Sequence, residues 1–514
     1  MAIPADLLAR ISAARQDRSR RQAQINDYLD HADPAQPRIG ESTTHGQDND
    51  RADDIGTLYD GTLMEVHEDF GSDLVDRVMP RTRNWVNYEP AEDLDEALAK
   101  SLEDEFKQRT TTIFAAVRKS NLYAEAAGGW AMHLAHGTGA MTIVDHGAGQ
   151  PLCFEAITPA QLLIERGPGG RLSLKGREFS WPLEDAMTYW PDYDWKPKHR
   201  QKLKNKSQKR VPVRIVEAAT LMPDPGGEKW QWRVCVDDEL VHDSMLSGRG
   251  SCPIIVTRWR TISTSAWGIG PGLKCLPDAM TLNQERRLVL KNLGKLVDPP
   301  TAYDDDGVLN PEGGVGAGDW IPRLPGSKLE QLKPEGNIEA AYYEQGYLQD
   351  CIRRALYQYG PRQRGKTPPT ATQWMEEKNE EGRRLELPTG KVYEEGPIAI
   401  LDRVEYLLTQ RGTLNPAITA EGGKIVSLRP MSPLARQQDA EDVSAANQIL
   451  AVLRQNLDPQ TLASTVDLQA TAENLVKAMD NKIIVIRSAD AADALLQQVL
   501  GSAGDVGAPS AEAA

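Results

Sequence analysis

GLKCLPDAMTLNQERRLVLKNLGKLVD (residues 272–298), stopped by Pro299 and Pro300, is the stretch from which the organisation of the chain is read. Leu282, Leu288, Leu290, Leu293, Leu296 and Val297 alternate with charges at helical spacing. At about 1.5 Å per residue the helix spans roughly 40 Å. Arg287, Lys291 and Lys295 stand four apart, so they form one stripe along it. The paired prolines end the helix because neither can donate the next backbone hydrogen bond. A second helical pattern starts at Asn337, a residue suited to an N-cap, and runs through Tyr342, Leu348, Ile352 and Leu356. Residues 299–336 hold six prolines and seven glycines and cannot be helical, with short strands expected around Asp319–Arg323 and Leu329–Leu332. Two long helices therefore flank a turn-rich insertion.

Upstream, residues 1–30 read as a helix with a basic outer face, 31–56 as a polar loop, and 57–80 and 91–136 as helices. Leu94, Leu98, Leu102, Phe106, Ile113 and Val117 carry the helical period of the last. From about 139 to 262 the period becomes two. Strands are expected at 139–146, 152–157, 175–181, 212–221, 230–236 and 252–259. Downstream, 358–370 reads as a loop and 371–410 as a long helix, kinked at Pro388 and at Gly396–Pro397. Residues 423–430 read as a strand, 433–500 as Ala-rich helices, and 501–514 as a disordered tail. The fold class is α+β, mainly α.

The 514 residues are 40% hydrophobic, enough for several domains, and no apolar run approaches the ~20 residues of a membrane helix. The N-terminal segment lacks the features of a signal peptide, so a cytoplasmic product is expected. Five scattered cysteines fit reduced thiols better than a disulfide frame or zinc site. A formal net charge of −15 is opposite in sign to that of a protein that grips nucleic acid. Either the chain avoids DNA or it handles DNA without holding it.

Three segments in the family's order, and a fourth near the N-terminus, resemble the portal (head-to-tail connecting) proteins of short-tailed bacteriophages, podoviruses. GIGPGLKCLPDAMTLNQERRLVLKNLGKLVDPP (268–300) is similar to the family's Gly-rich entry, long helix and Asp-Pro-Pro stop. TATQWMEEKNEE (370–381) is similar to its Thr-Ala-Thr-Glu helix start, with Gln373 where an acid is usual. SPLARQQDAED (432–442) and MEVHEDFGSDLVDRVMPRTRNWVNYEP (64–90) also resemble family segments. The resemblance implies the phage portal fold, a ring of twelve subunits with wing, stem, clip and crown around a central channel. Carried over, it implies a wing at 1–270 and 371–433, stem helices at 271–298 and 337–357, a clip at 299–336, a channel loop at 358–370 and a crown at 434–500. It further implies no catalysis and no cofactor. A place at one capsid vertex of the virion follows, after assembly in the host cytoplasm. The implied partners are double-stranded DNA, the terminase large subunit, a tail adaptor, major capsid and scaffolding proteins and internal core or ejection proteins; no membrane is among them.

Within that frame Arg362, Arg364 and Lys366 are the first candidates for loose contact with channel DNA, the alternative being plain solvation. Arg287, Lys291 and Lys295 come second, and pairing with acids of a neighbouring subunit is the equal alternative. In the clip, Asp304, Asp305, Asp306, Asp319, Trp320 and Arg323 are candidates for docking the motor or adaptor. Residues 196–210 hold eight Lys or Arg, including Lys196, Lys198, Arg200, Lys202, Lys204 and Lys206; contact with DNA or an acidic capsid partner is set against a flexible solvated loop, which is favoured. The run looks like an insertion relative to the family.

Three other signals point elsewhere. GPRQRGKT (360–367) matches the GxxxxGK[ST] phosphate-binding pattern, but a helix precedes it and Pro368 and Pro369 follow, where a phosphate cradle needs a strand before and amides after. His133, His136 and His146 have no carboxylate or cysteine at ligand spacing. A tail adaptor or collar is the remaining alternative, disfavoured by length and by the order helix, insertion, helix.

Overall fold

The computed structural model describes residues 3–41, 43, 52–90, 96–145, 152–205, 208–224, 227–304, 316–323, 330–331, 338–358, 390–415, 426–430 and 433–456, with short pieces at 466–467, 470–472 and 475–476. The chain divides into two units, residues 1–84 with 88–428, and residues 85–87 with 429–514.

The first unit opens with helices α1 (Ala5–Ala32), α2 (Thr62–Val78) and α3 (Glu96–Lys119); the short strand β1 (Val86–Pro90) has residues in both units. Two short helices, α4 (Leu122–Glu125) and α5 (Met132–His136), are joined by a π-turn at Ala126–Ala131. The single helix expected over 91–136 is thus broken at Ser120–Asn121 and bulged at the π-turn.

The strands β2 (Thr138–Val144), β3 (Cys153–Ile157) and β9 (Ile254–Arg258) form a three-stranded antiparallel sheet in the order β3-β2-β9. Five more form an antiparallel meander: β4 (Leu162–Arg166), β5 (Leu172–Pro182), β6 (Pro212–Met222), β7 (Lys229–Val236) and β8 (Glu239–Ser247). Two helices, α6 (Leu183–Tyr189) and α7 (Pro197–Lys204), sit between β5 and β6 in sequence.

Alternation in β6 gives the meander two chemically different faces. Val216 and Ala218 turn to α1, where Leu7, Ile11 and Ala14 at spacings of four and three close a buried cluster with Leu163, Leu174 and Cys235. Arg10, Arg15 and Arg18 flank that seam and pair with Glu165 and Glu178 of the sheet. The face of α1 expected to be basic and outward is therefore partly neutralised against the meander.

Glu217, on the other face, is buried with Arg177, whose guanidinium also reaches Glu155 of β3 at 2.6 Å. Burial pushes the Glu217 carboxyl up, and Arg177 opposes that shift. Burial works against the Arg177 charge too, yet Glu217 and Glu155 together raise its pKa.

Helix α8 (Gly272–Val297) follows, then β10 (Thr301–Asp304), β11 (Trp320–Arg323), β12 (Glu330–Gln331) and α9 (Ile338–Ala355). The three strands form a small sheet in the order β11-β10-β12, with β10 parallel to β11 and antiparallel to β12. Helix α8 accommodates Pro277 near its start. A second π-turn, Glu394–Ile398, encloses Pro397 and leads into α10 (Ala399–Gln410), so the kink expected at Gly396–Pro397 is a π-turn. It seats on Trp130 of the first π-turn: a Cβ on Gly396 would lie 2.6 Å from that indole. The Trp130 indole N–H donates to Thr257 Oγ1 at 3.0 Å, and Glu395 takes Arg258 through both side-chain oxygens. Strand β13 (Val426–Pro430) completes the sequence of elements before the last helix.

The second unit contains α11 (Pro433–Asn456), which displays Ile449 and Val452 to solvent. Among the described residues no helix is long and apolar enough to cross a membrane.

Replacing Arg177 by Met leaves Glu217 buried without its countercharge. The expected loss is about 3–5 kcal/mol, measured by denaturant unfolding, and Arg177→Met with Glu217→Met recovers much of it. A loss within error of zero for the single variant contradicts this account.

Candidate functional site

The site is built on α8 and α9 and on the loop that straps them together. The Tyr59 N–H donates to Asn283 Oδ1 of α8 at 2.7 Å, and the Asp60 N–H to the same oxygen at 3.3 Å. Asp60 Oδ2 accepts from Gln349 Nε2 of α9 at 3.2 Å. Asn283 and Gln349 therefore stand at one height along the pair. Three residues further along α8, Arg286 donates to Gln345 of α9 at 3.2 Å. Advancing on one helix corresponds to retreating on the other, so the helices are antiparallel.

Their seam is narrow. Leu282 and Val289 on α8 and Gln345, Leu348 and Ile352 on α9 are buried. At 100° per residue, Arg287, Lys291 and Lys295 point to the side of α8 away from that seam. Arg287 lies over the Tyr59 ring at 5.8 Å. Lys291 and Lys295 have no ion pair among the described residues. The stripe read from the sequence exists, and it faces away from its own hairpin.

The first turn of α8 is fixed by a buried cluster that links α1, α2 and α5. The Tyr28 hydroxyl and His67 Nδ1 are hydrogen-bonded at 2.9 Å, and His133 and His136 lie beside them with ring centroids 5.6 Å apart. Gly272 leaves room for the Tyr28 ring, which a Cβ there would meet at 2.6 Å. Burial lowers His67 to about 3 and His133 to about 4, and it lowers His136 well below its ordinary value. Burial also raises the Tyr28 hydroxyl, with Cys275 and Asp33 adding to the shift. No group of histidine, cysteine or carboxylate side chains among the described residues is arranged to hold a metal ion.

In the insertion, Asp304 is opposite Arg323 in the register of β10 and β11. Asp319 accepts from the Gly316 N–H, and Asp319 and Trp320 are exposed. Asp305 and Asp306 lie outside the described residues, as do Arg362, Arg364, Lys366, the 360–367 motif, His146, Pro388 and Lys206. The Gly318 N–H donates to Asp298 O at 2.9 Å, so the base of the insertion meets the end of α8.

The basic run departs from its expectation. It is not a loose solvated loop: Pro197–Lys204 is helix α7, anchored by fully buried His199 and by Trp195, whose indole N–H donates to Trp190 O at 2.8 Å. Lys196 pairs with Asp194, Lys198 with Glu239 at 2.9 Å, and Lys202 with Asp237 at 3.4 Å. Arg200 and Lys204 are exposed without an ion pair among the described residues. Lys198 and Lys202 therefore tie the helix to the β7–β8 turn, and Lys209 pairs with Glu184 at 2.9 Å.

The profile of the bacteriophage head-to-tail connecting proteins matches residues 5–482. The chain belongs to that family. Head-to-tail connecting proteins are structural components, and membership supports a connector role for this chain. No curated protein matches it. Among solved structures, the connector is similar to a chain of the virion of a native gene transfer agent particle, with TM-score 0.37 and 13% identity over 85% of this chain and 96% of that one. It is also similar to a chain of the neck of an empty particle computed with C6 symmetry, with TM-score 0.35 and 12% identity over 82% and 92%. A third, from the neck of a native particle computed with C12 symmetry, gives TM-score 0.29 and 13% identity over 79% and 92%.

The buried histidines are expected to lower the connector's stability in acid. Their folded pKa values lie below the unfolded 6.5, so the unfolded chain binds protons that the folded chain excludes. The stability this represents is present above about pH 6.5 and is lost as pH falls toward 4, by up to about 1.4 kcal/mol per pH unit for each histidine. Urea unfolding at pH 7 and pH 5 measures it, and His133→Phe shallows the slope. Equal stability at both pH values contradicts the assignment.

Proposed function

We propose that this connector is the portal subunit of a short-tailed phage, a ring component through which double-stranded DNA is packaged and ejected. The observation that carries the reading is the surface of the α8–α9 hairpin. Met280, Leu288, Leu290, Leu296 and Val297 on α8 and Tyr342, Tyr343 and Tyr347 on α9 are exposed. These are half of the exposed large hydrophobic side chains among the described residues. Covering them is worth on the order of 10 kcal/mol before the costs of association. A ring of copies covers every such surface, and a rotation that closes leaves none over.

In this reading residues 1–270 with 371–433 form the wing, α8 and α9 the stem, 299–336 the clip, 358–370 the channel loop and 434–500 the crown. The clip docks the terminase large subunit and later the tail adaptor, using Asp304, Asp305, Asp306, Asp319, Trp320 and Arg323. Exposure of Asp319 and Trp320 at the base of the small sheet supports that role. Twelve copies at −15 each carry a formal −180, a field that repels phosphate from the lumen. Arg362, Arg364 and Lys366 supply the few cations that keep DNA centred, and Arg200 and Lys204 of α7 face DNA or an acidic capsid partner. The particle sits at one virion vertex. The partner set also includes major capsid, scaffolding and internal core proteins.

Negative-stain images of the purified protein test this: top views with a central hole and about twelve lobes are expected, and single compact particles overturn it. A deletion of residues 299–336 is expected to keep the annulus and abolish terminase or adaptor binding. Normal binding by the deletion variant removes the clip assignment. Steady ATP turnover by the pure protein, lost on Lys366→Ala, would instead favour a nucleotide site at 360–367.

A further inference from the structure

We infer that the Arg287–Lys291–Lys295 stripe is a subunit interface, and that its partner is the outer face of α9 on the neighbouring copy. The inference rests on the ring reading and assigns the stripe within it.

Opposite the buried seam, α9 presents Glu339, Tyr343, Tyr347 and Asp350. Asp350 is engaged by Arg354 of its own helix at 3.6 Å. Glu339 is exposed and has no ion pair among the described residues. Opposite its own seam, α8 presents Met280, Gln284, Leu288, Lys291 and Lys295. One outer face is cationic and aliphatic; the other is aromatic, with Arg354 offsetting Asp350 and Glu339 left as its uncompensated charge among the described residues. The two faces lie on opposite sides of the same hairpin, which is the arrangement a head-to-tail contact requires.

The heights agree as well. Asn283 stands level with Gln349, and Arg286 with Gln345. Extending that register puts Leu288 level with Tyr343, Gln284 with Tyr347, and Lys291 with the turn of α9 that carries Glu339. Rotation about an axis along the helices moves a copy sideways without raising or lowering it. Residues level within one hairpin are therefore level, to about one helical turn, across the boundary between copies. Leu288 and Tyr343 are among the most exposed apolar side chains of the described chain, at 57% and 82%, and they meet there. Lys291 meets Glu339, and the tyrosine rings offer faces to the lysine and arginine charges.

A stripe spent on this contact is not available to DNA. The cations that touch DNA then come from elsewhere in the chain.

Paired cysteines test the placement. In a Cys351→Ser background, Leu288→Cys with Tyr343→Cys is expected to give a ladder of disulfide-linked oligomers on a non-reducing gel, while either single variant gives none. Lys291→Glu is expected to lower the ring fraction at fixed concentration at least tenfold, and Lys291→Glu with Glu339→Lys to restore it. Rings that form normally, without a ladder and without sensitivity to Lys291→Glu, overturn the interface and leave the ring reading standing. Lys291→Glu rings that assemble normally but retain less DNA would place the stripe in the channel and also overturn it. Failure of the unaltered chain to form any ring overturns both.

Discussion

Two helices packed along a single seam can each bury one stripe, and α8 and α9 bury theirs through Leu282 and Val289 on one side and Leu348 and Ile352 on the other. Met280, Leu288, Leu290, Leu296 and Val297 on α8 and Tyr342, Tyr343 and Tyr347 on α9 remain exposed. The hairpin is long, strapped at mid-height by Asp60 and rooted at its base, so it has no way to fold its outer faces onto itself. Under the proposed ring, those exposed faces are what neighbouring copies cover.

The rooting is correspondingly strong. Tyr28, His67 and His136 close around the first turn of α8, buried and neutral. Beside them the two π-turns interlock through Trp130 and Gly396, and Arg258 with Glu395 pins the second to β9. Arg177 and Glu217 are likewise buried as a pair. The same economy appears on the surface. Cations that look free in a list of residues are partnered locally, Lys198 and Lys202 on the β7–β8 turn and Arg15 and Arg18 on Glu178.

Much of the fold is legible in the sequence where the determinants are local. Helix α8 declares itself by its leucine spacing and by Pro299–Pro300, and the inner strands β5, β6 and β7 by alternation. Strands β4 and β8 escape notice because they are the edges of the meander, with one side unpaired and a pattern correspondingly weak. Helix α7 escapes because eight basic residues in fifteen read as solvated, while the features that hold it, Trp195 and His199 packed inward, are tertiary. The link between Tyr28 and His67 spans 39 residues and has no local signal. Of the candidate site, the stem stripe is visible in sequence but its direction is not, since direction depends on where α9 lies.

The mass of the assembled particle tests the central claim most directly. Native mass spectrometry of the purified chain over a range of concentrations is expected to show one discrete multiple of the 56.7 kDa subunit, close to twelvefold, with little between it and free subunit. A stable monomer at high concentration, or an open-ended ladder of sizes, contradicts the account.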